Sequence, residues 1–405
     1  MYRAQTKTIL LTGITGNLGA YAALRFLRNG HQVYAVVRGK NGEGMDACRQ
    51  RVNESLSHFC DEEQEVADYA DSLKIIEGDI AEGLSLTGRE VPTGIDETWH
   101  FASSLKYMPR DREEIFRTNL DGLRCVLSMH RRNQKKDSRF FYISTAYLGG
   151  RNLKQVPEAR IPYREDLVFN NCYEQSKLLA ENLFLDAVER GEVEGAVFRP
   201  SIVIGERRAG RLLHYGGLYQ VVRTWFALSR LMEQFGERDK QVRLAIGPGQ
   251  SLNFIPLDDV TDAMLALSDS DLGGERIFNI VATRPVDCRQ TFELIGRHTG
   301  LRAMPCDLTE FRHPHKTRYE QLASYLLDYI HPYIRNEVGF ETRNTEMIRS
   351  SLPAPINTEL LEFMIKQFVA TLSAAAPSPA PVTSSRAASL SARRPAPALT
   401  TYRGR

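Results

Sequence analysis

Tyr173 and Lys177 stand four residues apart in Tyr173-Glu174-Gln175-Ser176-Lys177, and on a helix side chains at that spacing share one face. A phenol with a pKa near ~10 is a poor acid–base group at neutral pH, but a neighbouring ammonium favours the phenolate and lowers that value. Upstream, Phe141-Tyr142-Ile143-Ser144-Thr145-Ala146-Tyr147 reads as a strand that ends in two hydroxyl residues. A phenol and a threonine hydroxyl aimed at one oxygen stabilise an oxyanion and protonate it, which is what a carbonyl accepting a hydride requires. Tyrosine and lysine recur at this spacing by chance. The strand end before them and a glycine turn near the N-terminus set this pair apart.

That turn is Thr12-Gly13-Ile14-Thr15-Gly16-Asn17-Leu18-Gly19. It follows the apolar run Thr8–Thr12 and opens a segment of helical spacing, Asn17–Arg28. In that context Gly13, Thr15, Gly16, Asn17, Leu18 and Gly19 form the cradle in which backbone N–H groups meet a dinucleotide pyrophosphate, with the last glycine allowing close helix–strand packing. The second strand, Gln32–Val37, ends in Arg38. A carboxylate there accepts from the ribose 2′-OH of NAD, whereas a guanidinium suits the 2′-phosphate of NADP in charge and geometry. A solvated arginine at a strand end is the plainer alternative. Asp79 and Ile80 follow the third strand, Leu73–Glu77, and suit the adenine amino group and ring; Asp79 also suits a turn cap. Ala102 and Ser103 follow the fourth strand, Thr98–Ala102, where small side chains let the phosphate–ribose region approach.

The elements that must position these groups alternate. Glu113–Arg131 reads as a helix, Arg139–Ser144 as a strand, about Tyr173 to Glu189 as a helix and Gly195–Phe198 as a strand. Short buried strands alternating with helices predict an α/β fold, a doubly wound parallel sheet covered on both faces. Beyond about Gly205 the pattern loosens, with helical segments at Leu212–Met232 and Val260–Ser268. The expected organisation is a cofactor-binding domain with the catalytic residues over 1–205, a smaller C-terminal substrate lobe over 206–373 whose strands partly rejoin the main sheet, and a tail over 374–405. The tail has five Arg, no acid and almost no large apolar residue, so disorder is expected there.

The 405 residues carry 52 Lys and Arg against 50 Asp and Glu, a net charge of +2, which argues against nucleic acid as a partner. Six cysteines lie scattered without a CxxC, pointing to a reducing cytoplasm and no metal. No signal-like N-terminus and no apolar run of membrane-spanning length is legible.

Together, Thr12–Gly19, Ser144-Thr145, Tyr173 with Lys177, Arg199-Pro200-Ser201-Ile202-Val203-Ile204-Gly205 and Asn253-Phe254-Ile255-Pro256-Leu257-Asp258-Asp259-Val260 resemble the extended short-chain dehydrogenases/reductases, a Rossmann-type family, over roughly residues 7–280. Ser-Thr-Ala-Tyr, Tyr-Glu-Gln-Ser-Lys and the strand-end Val-Val-Arg look most like the fatty acyl reductase and thioester reductase branch. The resemblance implies NADPH-dependent reduction of an acyl thioester, bound to CoA or to a carrier protein, to an aldehyde or alcohol. It makes Thr145, Tyr173 and Lys177 the catalytic triad, makes Asn119 a support of the lysine through water, and puts Pro200 and Ile202 near the nicotinamide. Asn17 stands where thioester reductases carry a bulky residue, and Ser103-Ser104 replaces the usual alanines. No adenylation or carrier segment is legible, so a thioester is expected to arrive on CoA or on a separate acyl carrier protein. A carbonyl reductase or alcohol dehydrogenase, or a sugar epimerase or dehydratase, uses the same triad and is the alternative.

Other features are read more plainly. Arg207, Arg208 and Arg211 suit a solvated basic loop better than a phosphate site. Tyr215, Tyr219, Trp225 and Phe226 suit either an acyl tunnel or core. His313-Pro314-His315 is expected in a surface loop.

Overall fold

The computed structural model describes residues 6–39, 44–62, 64–83, 91–237, 241–307, 310–311, 316–348 and 355–375. His313-Pro314-His315 and the tail beyond residue 375 lie outside them. Seven parallel strands form the central sheet, in the order Ile277–Ile280, Glu194–Pro200, Gln134–Ile143, Ile95–His100, Thr8–Thr12, Gln32–Val37, Leu73–Glu77. The order reverses between Thr8–Thr12 and Ile95–His100, which opens a crevice at the carboxyl ends of those strands.

Both faces of the sheet are buried, so apolar residues point to both sides along its strands. Ile9, Leu11, Val33, Ala35, Trp99, Phe141 and Phe198 face one layer. Leu10, Val36, Ile76, Phe140, Tyr142 and Val197 face the other. Trp99 is fully buried among Phe26, Phe141 and Phe198, with ring centroids 5.3, 4.5 and 5.8 Å away. Helices Asn17–Arg28 and Gly44–Ser57 cover the first face; Gly122–Asn133 and Cys172–Glu189 cover the second.

Several elements depart from the sequence reading. The helix expected over Glu113–Arg131 is interrupted: α-helical turns at Arg112–Phe116 and Gly122–Asn133 flank a π-helical turn at Arg117–Asp121. Apolar spacing does not distinguish one wide turn from an ordinary one. The strand expected from Arg139 begins at Gln134, with a register irregularity opposite Ile95–Glu97 and Asp137 at φ 68°. The helix expected from Leu212 begins at Leu218, because Gly217 has φ 52° and ends the irregular stretch before it.

In the C-terminal half, helices Leu218–Gln234, Leu257–Ser268, Cys288–Thr299 and Thr358–Ala375 extend the first hydrophobic layer. The last of these therefore runs slightly past the expected start of the tail. Tyr219 and Trp225 are core: the Tyr219 hydroxyl accepts from Gly205 N at 3.0 Å, and the Trp225 indole donates to Leu301 O at 3.2 Å. An acyl tunnel lined by these two rings is therefore excluded; they are packed against protein. Among the described residues no helix is long and apolar enough to cross a membrane.

Two buried acids anchor the segment after the fifth sheet strand. Glu181 and Arg199 form a fully buried ion pair, and Arg199 also donates to Pro157 O at 2.7 Å and Ala159 O at 3.1 Å. Glu158 accepts from Thr345 Oγ1 at 2.6 Å, Asn344 N at 2.5 Å and Asn279 N at 2.8 Å. Removing one partner from such sites leaves a charge buried alone, so both sites hold the chain to one geometry.

Candidate active site

The glycine turn closes as its spacing demands. Gly16 N donates to Gly13 O at 2.9 Å, and Gly13 has φ 82°. A Cβ on Gly13 would lie 2.7 Å from Ala102 N, and one on Gly19 would lie 2.2 Å from Gly13 O. The turn is thus packed against the loop that follows Ile95–His100, and Thr12 Oγ1 binds that loop at both ends: Ala102 N donates to it at 3.3 Å and His100 Nδ1 lies at 2.8 Å. Burial holds His100 neutral, its pKa pushed down to about 3.

Asn17 sits at the first position of the helix, but its side chain points to the C-terminal half. Its Oδ1 accepts from Leu213 N at 2.7 Å and His214 N at 3.0 Å, and its Nδ2 donates to His214 O at 2.8 Å. His214 Nε2 returns to Thr15 O at 3.0 Å. A bulky residue at position 17 would displace this clasp. Leu18 packs into the first core.

At the adenine end, Arg38 is mostly exposed, with its guanidinium 3.9 Å from the Asp79 carboxylate. Asp79 also caps a short turn, accepting from Ala81 N at 2.9 Å, as its turn-cap reading expected. Ile80 is buried against Gly122. Of the three arginines after Gly205, Arg208 is largely exposed, as the sequence suggested, while Arg207 and Arg211 are partly buried. Arg207 pairs with Asp259 at 2.6 Å and Arg211 with Glu206 at 2.7 Å, while Arg208 and Arg211 both reach Asp61 at 3.3 Å. They fasten that loop to two neighbouring elements.

The Cys172–Glu189 helix runs back across the sheet, so its N-terminal turn projects beyond the strand ends that carry Ser144 and Thr145. Lys177 is buried and donates to Ile143 O at 2.7 Å, with Nζ 4.4 Å from the centre of the Tyr142 ring. Burial pushes its pKa down to about 7. Burial also raises the Tyr173 phenol, with Glu174 adding to the effect. The expected depression of the phenol by the ammonium is absent here, because desolvation dominates both groups. Tyr173 is therefore a protonated phenol at neutral pH.

Tyr147 N donates to Thr145 Oγ1 at 3.2 Å, leaving the Thr145 proton available to another acceptor. Ser144 Oγ is buried without a partner among the described residues. Asn119 is carried by the π-helical turn, and its direct side-chain partners are serines. Its Oδ1 accepts from Ser104 N at 2.7 Å and Ser103 Oγ at 3.0 Å, and its Nδ2 donates to Ser176 Oγ at 2.8 Å. Ser176 Oγ donates in turn to Tyr173 O at 2.7 Å. Asn119 thus joins the loop beside the glycine turn to the backbone of Tyr173.

Pro200 O accepts from Ala146 N at 2.9 Å, placing the Pro200–Ile202 segment beside the same strand end. Asn253, quoted in the sequence without a role, organises this corner. Its Oδ1 accepts from Ser201 Oγ at 2.7 Å and Ala282 N at 3.0 Å, and its N donates to the Tyr147 hydroxyl at 3.2 Å. Nothing in the local pattern signals that role, since its partners come from three distant segments. Among the described residues no group of three or more His, Cys, Asp or Glu is placed to hold a metal ion.

Residues 11–264 match the family described as male sterility protein, a family of NAD-binding domains. A non-canonical nonribosomal peptide synthetase of Aspergillus campestris is 26% identical over 320 residues, 74% of this chain and 28% of that protein. The chain thus spans little more than a quarter of that relative. Among solved structures, the terminal R domain from the myxalamid PKS-NRPS biosynthetic pathway is similar with a TM-score of 0.72, 20% identity and 93% of each chain covered. A thiolation-reductase di-domain from an archaeal nonribosomal peptide synthetase follows at 0.70 and 20%, covering 91% of this chain and 76% of that one. The chain belongs to the male sterility protein family, a family of NAD-binding domains, and has the extended short-chain dehydrogenase/reductase fold.

Proposed function

We propose that the protein reduces an acyl thioester, carried on CoA or a carrier protein, with NADPH as the reductant. The observation that carries the reading is the likeness to a thiolation-reductase di-domain, which runs through 91% of the chain and so reaches well beyond the family match at residues 11–264. A dinucleotide fits the residues present: the cradle at Gly13 and Gly19 has no room for a Cβ, and its N–H groups lie at a helix start. Gly13, Thr15, Gly16, Asn17, Leu18 and Gly19 would hold the pyrophosphate, Asp79 and Ile80 the adenine, Ala102 and Ser103 the phosphate–ribose region, and Pro200 and Ile202 the nicotinamide side. Arg38 would hold the 2′-phosphate, which favours NADP over NAD. When bound, the cofactor supplies the hydride.

The residues then act on the substrate. Thr145 and Tyr173 donate to the thioester carbonyl oxygen, and their hydrogen bonds strengthen as that oxygen becomes anionic. Tyr173 gives it a proton, and the resulting hemithioacetal breaks its C–S bond to release aldehyde and free thiol. Burial supports this direction of chemistry, because a phenol that stays protonated is an acid for reduction. Lys177 would orient the cofactor ribose. Segment 206–373 is read as the lobe that covers the acyl group, and an acyl carrier protein as a partner.

Thiol release coupled to NADPH oxidation on CoA- and carrier-bound acyl substrates tests the reading. One thiol per NADPH in the first reduction is expected. NADPH consumption on ketones, with no thiol released from any thioester, would assign the protein to carbonyl reduction. Sugar epimerisation is disfavoured by Arg38, since an acid after the second strand suits the NAD of such enzymes.

A further inference from the structure

Tyr173 lies in the first turn of its helix, where the leading N–H groups lack intrahelical partners and the backbone frays most readily. Three local bonds restrain that turn. Asn171, the N-cap, accepts through Oδ1 from Glu174 N at 2.9 Å. Glu174 reaches back, its Oε2 accepting from Asn170 N and its Oε1 from Asn170 Nδ2, both at 3.0 Å. This is a capping box closed one residue early.

Two further bonds are not local. Tyr333, in the short helix His331–Arg335, donates its hydroxyl to Glu174 Oε1 at 2.5 Å and accepts from Asn171 Nδ2 at 2.9 Å. Its ring stands edge-on to Tyr147 at 5.6 Å. Tyr147 is bonded to Thr145 Oγ1 through its own N–H. It also meets Phe340 at 5.2 Å, in the segment whose strand Gly339–Phe340 pairs with Gln155–Val156. One phenol from far along the chain thus touches both capping residues of the helix that carries Tyr173 and packs on the residue that braces Thr145. Glu174 is almost fully buried, so each of its hydrogen bonds counts.

We propose that Tyr333 is a positioning residue for the reaction: it holds the Tyr173 turn and the Thr145 strand end at one separation, so the two hydroxyls converge on one oxygen. The proposal rests on the reading of Tyr173 as proton donor and goes beyond it in making that donor depend on the C-terminal half.

The test sets Tyr333→Phe and Asn171→Ser beside Tyr173→Phe in the full chain, with NADPH and octanoyl-CoA, or decanal as a carbonyl probe. Tyr333→Phe keeps the ring packing and removes only the hydroxyl. It should lower kcat by about ten- to hundredfold, as a small misplacement of a reacting group does. KM should stay within about twofold, because the lost interaction acts in the transition state. The solvent deuterium isotope effect on kcat should rise, and amide exchange at residues 172–175 should quicken. Asn171→Ser retains a capping oxygen but loses the donor to Tyr333; it should show the same pattern more weakly, and it replaces Tyr333→Phe should that variant not fold. Unchanged kcat, isotope effect and exchange would overturn the proposal, as would a lower melting temperature with kcat preserved. A Tyr173→Phe enzyme that turns over normally would overturn the underlying reading instead. An inactive Tyr173→Phe beside an unimpaired Tyr333→Phe would sink the inference alone.

Discussion

Charge and burial at single residues decide what each group does. Arg38 is exposed just after the second strand, with its guanidinium 3.9 Å from the Asp79 carboxylate. Bidentate contact with a 2′-phosphate is its proposed task. Arg38→Asp should therefore weaken NADP(H) binding by about tenfold or more while NAD(H) changes little, since a charge-assisted hydrogen bond is worth about 1.5–3 kcal/mol. Fluorescence titration with both cofactors checks this, and equal losses would remove the assignment. Lys177 bears on stability. Its folded pKa, about 7, lies below the usual 10.5. Below the folded value both states are protonated and the cost of burying the charge is complete. Between the two values the unfolded chain binds the extra proton, so the cost fades as pH rises. Lys177→Met lacks this dependence. Its stability advantage over the wild-type protein should be largest near about pH 7 and shrink by about 1.4 kcal/mol per pH unit toward about pH 9.5. Denaturant unfolding of the cofactor-free proteins at both pH values measures it; a constant gap would mean that Lys177 is not depressed.

Among the elements, the glycine turn with its helix tolerates least. The 2.2 Å that a Gly19 Cβ would have to Gly13 O admits no side chain without moving the Asn17–Arg28 helix off the turn. Gly19→Ala is expected to lower stability by about 1–3 kcal/mol, the usual cost of overpacking, and to abolish dinucleotide binding. Thermal melts with and without NADPH test both halves: a variant still stabilised by cofactor would show that the helix can retreat and the cradle survive. The π-helical turn works in the opposite sense. By widening the helix at Arg117–Asp121 it brings Asn119 to Ser103, Ser104 and Ser176 together.

For the whole molecule, the C-terminal half is tied to the sheet by buried polar groups as well as by apolar packing. Glu158 is the clearest tie, gathering donors from Asn279, Asn344 and Thr345. Glu158→Gln keeps the volume but turns an amide toward backbone N–H groups. A loss of about 1–3 kcal/mol is expected from the donors left unsatisfied, with faster amide exchange over residues 339–345. Exchange unchanged there would mean that the segment docks by its apolar contacts alone. If the proposal for Tyr333 holds, loosening this segment also lowers kcat, because Phe340 and Tyr333 both pack on Tyr147.

Local pattern was enough for the parts of this protein whose chemistry is local. The strands Thr8–Thr12, Gln32–Val37 and Leu73–Glu77 and the helix Asn17–Arg28 were legible to the residue, because buried parallel strands and an amphipathic helix each impose their own spacing. So was the placing of Tyr173 and Lys177 on one helix face, since that follows from helical geometry. What the side chains do once placed was legible only in part. Asn17 turned to Leu213 and His214, Asn119 to Ser103 and Ser176, and Arg207 and Arg211 to acids, because hydrogen-bond partners from remote segments leave no mark on local spacing. The direction of the Tyr173 pKa shift differed from the sequence reading for a related reason. A pair read in isolation feels only the charge between its members, whereas in the folded protein the surrounding apolar wall desolvates both, and that larger effect exists only in three dimensions.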